Sequence, residues 1–394
     1  MKHRFWILIF GCCILVSCGS GAIQEQIQKN ENGEGLSLNL APSEKIYVAA
    51  AFFTDPVGSI ATVGINNPHS VKTALAVTDS SDVAVRSFDN KLFVINRGIA
   101  STIQVIDPET FKILGNYSVE PSSNPHDLVV ANGKAFIGRY DSNLATENKD
   151  DLWVVDPLTG SRTASIDLKP FTTDDGNRLA RADQMALVGN FLYVLIQDLS
   201  SSFVATTNGK VAVIDTRTNT VVDTDAATAG TQAISLNGRN PTGIAYQADL
   251  NRLFITDTGV YETGFVVDVN TAHGGIEVIN PDTNTTLGIL IDDKDFGGEI
   301  SSITLISKNL GAVTVKAKTV ASFDPENSKV LQTSLYTSAS GFIPELLADR
   351  NGFVWIPERD PTNDGMVVID PATGAIRGGP FAVGALPASQ ALIK

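Results

Sequence analysis

Six hydrophobic runs in this chain end in Asp or Asn and pass directly into a tight turn. They are Val105-Ile106-Asp107-Pro108, Val154-Val155-Asp156-Pro157, Val213-Ile214-Asp215-Thr216, Val278-Ile279-Asn280-Pro281, Ser322-Phe323-Asp324-Pro325 and Val368-Ile369-Asp370-Pro371. The turns lie 49, 59, 65, 44 and 46 residues apart, the period of four-stranded propeller blades. Sandwiches and barrels also use short apolar strands, but neither demands a repeat of this length. The period therefore predicts an all-β fold of radially arranged blades. It says how the chain is built and nothing about an activity.

Within each repeat, turn residues separate four short strands, lettered here A to D from the central axis outward. The B strands are plainest, as in Lys91-Leu92-Phe93-Val94-Ile95, Phe191-Leu192-Tyr193-Val194-Leu195 and Phe353-Val354-Trp355-Ile356. The C strands end at the Asp turns, and the D strands follow them. A degenerate copy stands at the front: Ile46-Tyr47-Val48-Ala49 reads as B, residues 59–65 as C before Asn66-Asn67-Pro68, and residues 73–77 as D, with no A strand. At the far end, Ala388-Ser389-Gln390-Ala391-Leu392-Ile393 reads as an A strand with no blade after it. The two fragments complete each other. The expectation is a seven-bladed β-propeller over residues 45–394, closed by a C-terminal inner strand joining the N-terminal blade, which removes an open sheet edge.

Asn240-Pro241-Thr242-Gly243-Ile244-Ala245, Asn251-Arg252-Leu253-Phe254-Ile255-Thr256 and Gly209-Lys210-Val211-Ala212-Val213-Ile214-Asp215 resemble the YVTN family of seven-bladed propellers. The resemblance runs along essentially the whole chain after the N-terminal signal and implies a fold only. YVTN-like proteins include surface, periplasmic and nucleic-acid-associated members with no common catalytic residues to carry over.

The N-terminus reads as an export signal. Lys2, His3 and Arg4 form a basic start, and the apolar residues 5–16 are too few to span a bilayer core of roughly 30 Å. Leu15-Val16-Ser17-Cys18-Gly19 resembles a bacterial lipobox, with cleavage before Cys18 and lipidation of its thiol; an ordinary secretory signal with a coincidental Cys is the plainer alternative. The expected domains are a signal peptide over 1–17, a lipidated Cys18 with a flexible tether to residue 44, and the propeller. Gly19, rather than Asp, after the Cys points to the outer membrane by the enterobacterial sorting rule. The expected location is thus the bacterial cell envelope, with several acyl chains giving stable anchoring. The remaining cysteines, Cys12 and Cys13, fall within the signal, so a mature chain offers no thiol for disulfide, metal or nucleophile. A net charge of −14 argues against nucleic acid as a partner.

Insertions fall in the B–C connections (140–151, 197–209, 257–275 and 359–365) and in the D–A connections (169–183 and 225–242), which share one face of a propeller. Residues on long loops over a rigid scaffold are where binding concentrates. The entrances to the A strands point at the central funnel on that face: Asp82, His126-Asp127, Asp183-Gln184, Thr242, Ser301-Ser302, Glu345 and Ser389-Gln390. Four converging carboxylates repel each other, so a cation or buried water is expected to offset them. The sequence leaves open a calcium or magnesium ion on Asp127, Asp183 and Glu345; solvated acids in a water-filled channel are the plainer account. Arg97, Arg139 and Arg359 fall at B-strand ends on the same face and are candidates for an anionic group or a partner's carboxylates, or for ion pairs with the acids beside them.

Residues 174–177 and 292–295 resemble calcium loops but lack the EF-hand spacing. His69, His126 and His273 do not pair at metal-ligand spacing. His126 beside Asp127 is a candidate base or a polar funnel residue. The expected function is a binding or scaffold propeller taking a protein, peptide or glycan. The alternative is a metal-dependent, lactonase-like hydrolase using the acidic funnel. A quinoprotein is disfavoured, because Trp153 and Trp355 are the only tryptophans beyond the signal.

Overall fold

The computed structural model describes residues 27–28, 37–38 and 44–394, except 53, 174–177, 206, 263–265, 269–272 and 394. The chain divides into two units, Met1–Ser43 and Glu44–Lys394. In the first, Ile27–Gln28 pairs antiparallel with Ser37–Leu38 inside the segment expected to be a plain tether. Cys18 lies outside the described residues.

The second unit is a seven-bladed propeller, as the turn period predicts. Blade 1 is built from both ends of the chain: its A strand is Pro387–Leu392, and its B, C and D strands are Lys45–Ala50, Ser59–Gly64 and Val71–Val77. Ile46 registers with Leu392 and Val48 with Gln390. The A strands of blades 2 to 7 are Val83–Phe88, Pro125–Ala131, Ala182–Val188, Pro241–Gln247, Ile300–Ser307 and Leu347–Ala348. Among the described residues the one α-helix is Asp293–Phe296, so none is long and apolar enough to cross a membrane.

Why the B strands read as unbroken apolar runs follows from the packing. Each blade is covered on both faces by its neighbours, so alternate side chains enter different cores. On blade 2, Leu92 and Val94 pack toward blade 1, whereas Phe93 and Ile95 pack toward blade 3. Seven buried clusters result, one in each gap between neighbouring blades. The seventh joins Trp355, Met366 and Val368 of blade 7 to Ile46, Val48 and Val63 of blade 1. The ring therefore closes through hydrophobic packing as well as through the shared sheet.

The repeated turn has a local cause. The Asp107 carboxylate accepts hydrogen bonds from the Glu109 and Thr110 amides at 3.0 and 2.8 Å and from the Thr110 hydroxyl at 2.9 Å. Asp156 repeats this with Leu158 and Thr159, and Asp324 with Glu326 and Asn327. A short acidic side chain satisfies amides that the turn leaves unpaired. These turns also seat the next blade: the Tyr117 hydroxyl donates to the Pro157 carbonyl at 3.3 Å. Gly160 sits at φ +71°, where an added Cβ would lie 2.3 Å from the Tyr117 ring, so only glycine fits.

One loop assignment changes. The insertion expected after strand D of blade 4 interrupts that strand instead: Thr220–Val221 and, farther on, Ile234–Ser235 both pair with Lys210–Asp215. The intervening residues form their own turn, closed by the carboxylates of Asp223 and Asp225.

Candidate functional site

Both kinds of long connection meet on one face. The Tyr140 and Asp141 amides, in a B–C loop, donate to Asn124 and Ser123 in the preceding D–A loop. Likewise, the Arg239 amide of a D–A loop donates to the carbonyl of His273 in a B–C loop. Pairing of Arg178–Leu179 with Leu199–Ser200 and a hairpin of Val260–Glu262 with Val266–Asp268 add to this face. At its centre opens a funnel of about 400 Å³. Asp127, Gln184, Thr242, Ser301, Ser302, Glu345, Ser389 and Gln390 line it together with Arg86 and Arg97.

The sequence reading missed Arg86, and this residue organises the funnel. It lies within the A strand of blade 2, and its guanidinium reaches residues of blades 3, 4 and 7. Its Nε donates to Asp127 Oδ1 at 2.7 Å, one Nη to Gln184 at 3.1 Å and the other to the Val85 carbonyl at 2.9 Å. Glu345 Oε2 stands 3.6 Å away. Asp127 also accepts from the Met185 amide at 2.8 Å, tying blade 3 to blade 4. Burial alone would lower the Arg86 pKa, but the fields of Asp127 and Glu345 outweigh it and the group is held charged. Arg86 thus supplies part of the positive charge expected to offset the carboxylates.

The three carboxylates that the sequence left open as metal ligands do not converge. Asp127 is occupied by Arg86 and Met185, whereas Asp183 turns away to His126 and Gln197. Among the described residues, no group of three or more His, Cys, Asp or Glu side chains converges to hold a metal. Residues 174–177 fall outside the described residues. Asp292 caps the short helix through the Lys294 amide, so that stretch is a helix start rather than a calcium loop.

His126 and Asp183, each next in sequence to a residue that lines the funnel, are not themselves part of its lining and pair with each other. Asp183 Oδ1 holds His126 Nδ1 at 3.0 Å, and Asp183 Oδ2 accepts from Gln197 at 2.7 Å. Gln197 in turn accepts the Tyr140 hydroxyl at 2.6 Å, and the Tyr140 ring stacks on His126 at 3.8 Å. Burial lowers the His126 pKa against the pull of Asp183, so the imidazole is neutral near pH 7. Asp82 sits beside Arg97, with 3.9 Å between their charged groups.

Two of the three sequence-nominated arginines are turned inward. Arg139 is fully buried, with its donors on Val119, Asn148, Asp150 and Glu120 and its guanidinium 4.2 Å above Trp153. It fastens the B–C loop of blade 3 and is closed to a ligand. Arg359 is 5% exposed and stacks over Phe342 at 4.9 Å. Arg97 alone of the three lines the funnel.

No protein-family model and no curated protein matches the sequence. Solved structures do resemble the fold. The periplasmic gluconolactonase of Pseudomonas aeruginosa is 14% identical over 89% of this chain and 99% of its own, with a TM-score of 0.59. A protein of unknown function from Desulfotomaculum acetoxidans is 12% identical over 88% of this chain and 98% of its own, with a TM-score of 0.57. At such identities the likeness is one of fold.

Proposed function

We propose that this chain is a lipid-anchored binding propeller of the bacterial envelope that engages a protein or peptide through its loop-rich face. The observation carrying this reading is the separation of the two faces. Apart from the excursion within strand D of blade 4, the insertions share one face with the funnel. The propeller begins on the other: Lys45, the first residue of its first strand, pairs at 3.5 Å with Glu109 in a C–D turn. Ile99, on the B–C loop of blade 2, is 85% exposed, the most of any large apolar side chain among the described residues, and Leu144, Phe52 and Phe342 are exposed on loops of the same face. The export signal, Cys18 and the outer-membrane address belong to this proposal. A glycan ligand finds weaker support, because among the described residues no aromatic side chain lines the funnel. The hydrolase alternative finds less support, because Asp127 is engaged by Arg86 and Asp183 by His126 and Gln197.

Shortening residues 259–273 tests the partner reading. Cross-linked partners are expected to vanish from the purified propeller while its thermal midpoint stays nearly unchanged; unchanged partners would overturn the reading. For the anchor, Cys18→Ala is expected to release the protein from membranes, and continued membrane association would contradict it.

A further inference from the structure

Glu345 and Gln390 are joined, and each has one acceptor that takes no hydrogen bond. Glu345 Oε1 accepts from the Ser389 hydroxyl at 3.0 Å and from the Gln390 amide. Its Oε2 takes no hydrogen bond among the described residues, and the 3.6 Å to Arg86 exceeds hydrogen-bond distance. The Gln390 side chain donates to the Trp355 carbonyl at 2.9 Å, but its Oε1 is buried with no partner, and the residue is only 4% exposed. A buried acceptor without a donor marks an unmet need in the site. Both residues line the funnel, and the Glu345 side chain remains 23% exposed to it.

The charges of the lining cancel, Asp127 and Glu345 standing against Arg86 and Arg97, so the wall carries no net charge to repel a cation. The chain as a whole carries −14, a field that steers cations toward it. Ile244, Ile303, Leu346 and Leu347 also line the funnel, giving apolar wall for a methylene stem below a charged head.

Resting on the reading of a peptide-binding face, we propose that the funnel receives the side-chain ammonium of a lysine on a partner segment, held by Glu345 Oε2 and Gln390 Oε1. An ammonium carries donors only and so matches the unpartnered Gln390 Oε1 and the Glu345 Oε2 that takes no hydrogen bond. A guanidinium is a planar fork, and that place against the carboxylates is already filled by Arg86.

The test is calorimetry of the full chain with acetyl-Gly-Lys-Gly-amide and with the same peptide acetylated on the lysine amine. The unmodified peptide is expected to bind, and acetylation or Glu345→Gln to weaken it at least about tenfold. Glu345→Gln keeps the oxygen that accepts from Ser389 and Gln390, so the fold should survive; its thermal midpoint is measured alongside. Arg97→Gln gives a test of sign. Removing a nearby positive charge should tighten a bound cation, whereas loss of binding would mean that the funnel holds an anion and would overturn the proposal. Absence of binding, or equal binding of the acetylated peptide, would also overturn it. If partners are still lost when residues 259–273 are shortened, only this inference falls and the binding face stands.

Discussion

The two faces of this propeller use the same residue type in opposite ways. On the short-turn face, backbone and hydroxyl donors hold the carboxyls of Asp107 and Asp156 below the usual range. On the loop-rich face, burial pushes Asp151 up to about 6 and Asp293 to about 7, and it raises Asp257 and Glu345 as well. Asp360, also on the loop-rich face, is the exception, held down to about 2 by donors from Thr362 and Ser340. The difference teaches where the fold is at ease. A turn Asp is ionised and satisfied in place, whereas carboxyls under the long loops are desolvated and kept there by the surrounding structure. Such tension is where functional sites are found, although structural networks also produce it.

The contrast breaks most sharply at Arg86. Arg86→Met would leave Asp127, whose side chain is 3% exposed, without its cation, at a cost of about 3–5 kcal/mol in urea unfolding. Adding Asp127→Leu should recover much of that loss. If Arg86→Met alone is neutral, the funnel network is no part of what holds the blades around the axis.

A smaller effect comes from the aspartates themselves, with opposite signs on the two faces. The lowered pKa of Asp156 means that its ionised form stabilises at neutral pH and that this is lost as acid titrates it. Asp156→Asn should therefore flatten the loss of thermal stability below about pH 4. Asp293 is raised to about 7, first by burial and then by Asp292. Its contribution is present at low pH and lost as pH rises toward about 7, so Asp293→Asn should gain on the wild type between about pH 4 and about pH 7. Equal slopes for both variants would erase the distinction drawn between the faces.

Most of the architecture was legible in the sequence because the turns repeat a local chemistry: an Asp that closes its own turn appears wherever that turn is needed. Closure was legible because Ile46-Tyr47-Val48-Ala49 lacked an inner partner and residues 388–393 lacked a blade. The funnel was legible only in part. Counting positions from each strand start located Asp127, Gln184, Glu345 and Gln390, since the start of an A strand fixes which end it occupies. Arg86 escaped because it lies mid-strand, and only the assembled ring shows that its long side chain reaches toward other blades. An arginine inside an inner strand, set among four carboxylates, was the available signal. Arg139 failed for the converse reason: its place at a B-strand end is as read, but whether its guanidinium points outward or under Trp153 depends on the loop folded over it. The interruption of strand D in blade 4 was hidden because a polar excursion within an edge strand has the composition of a loop.

The central claim is that one face builds the molecule and the other engages a partner. A photo-cross-linking residue placed in intact cells at Ile99 and Phe342, and separately at Glu109 and Pro371, tests it most directly. The account predicts discrete partner adducts from Ile99 and Phe342 and none from the two turn positions. Adducts from the turns alone, or equally from both faces, would contradict it.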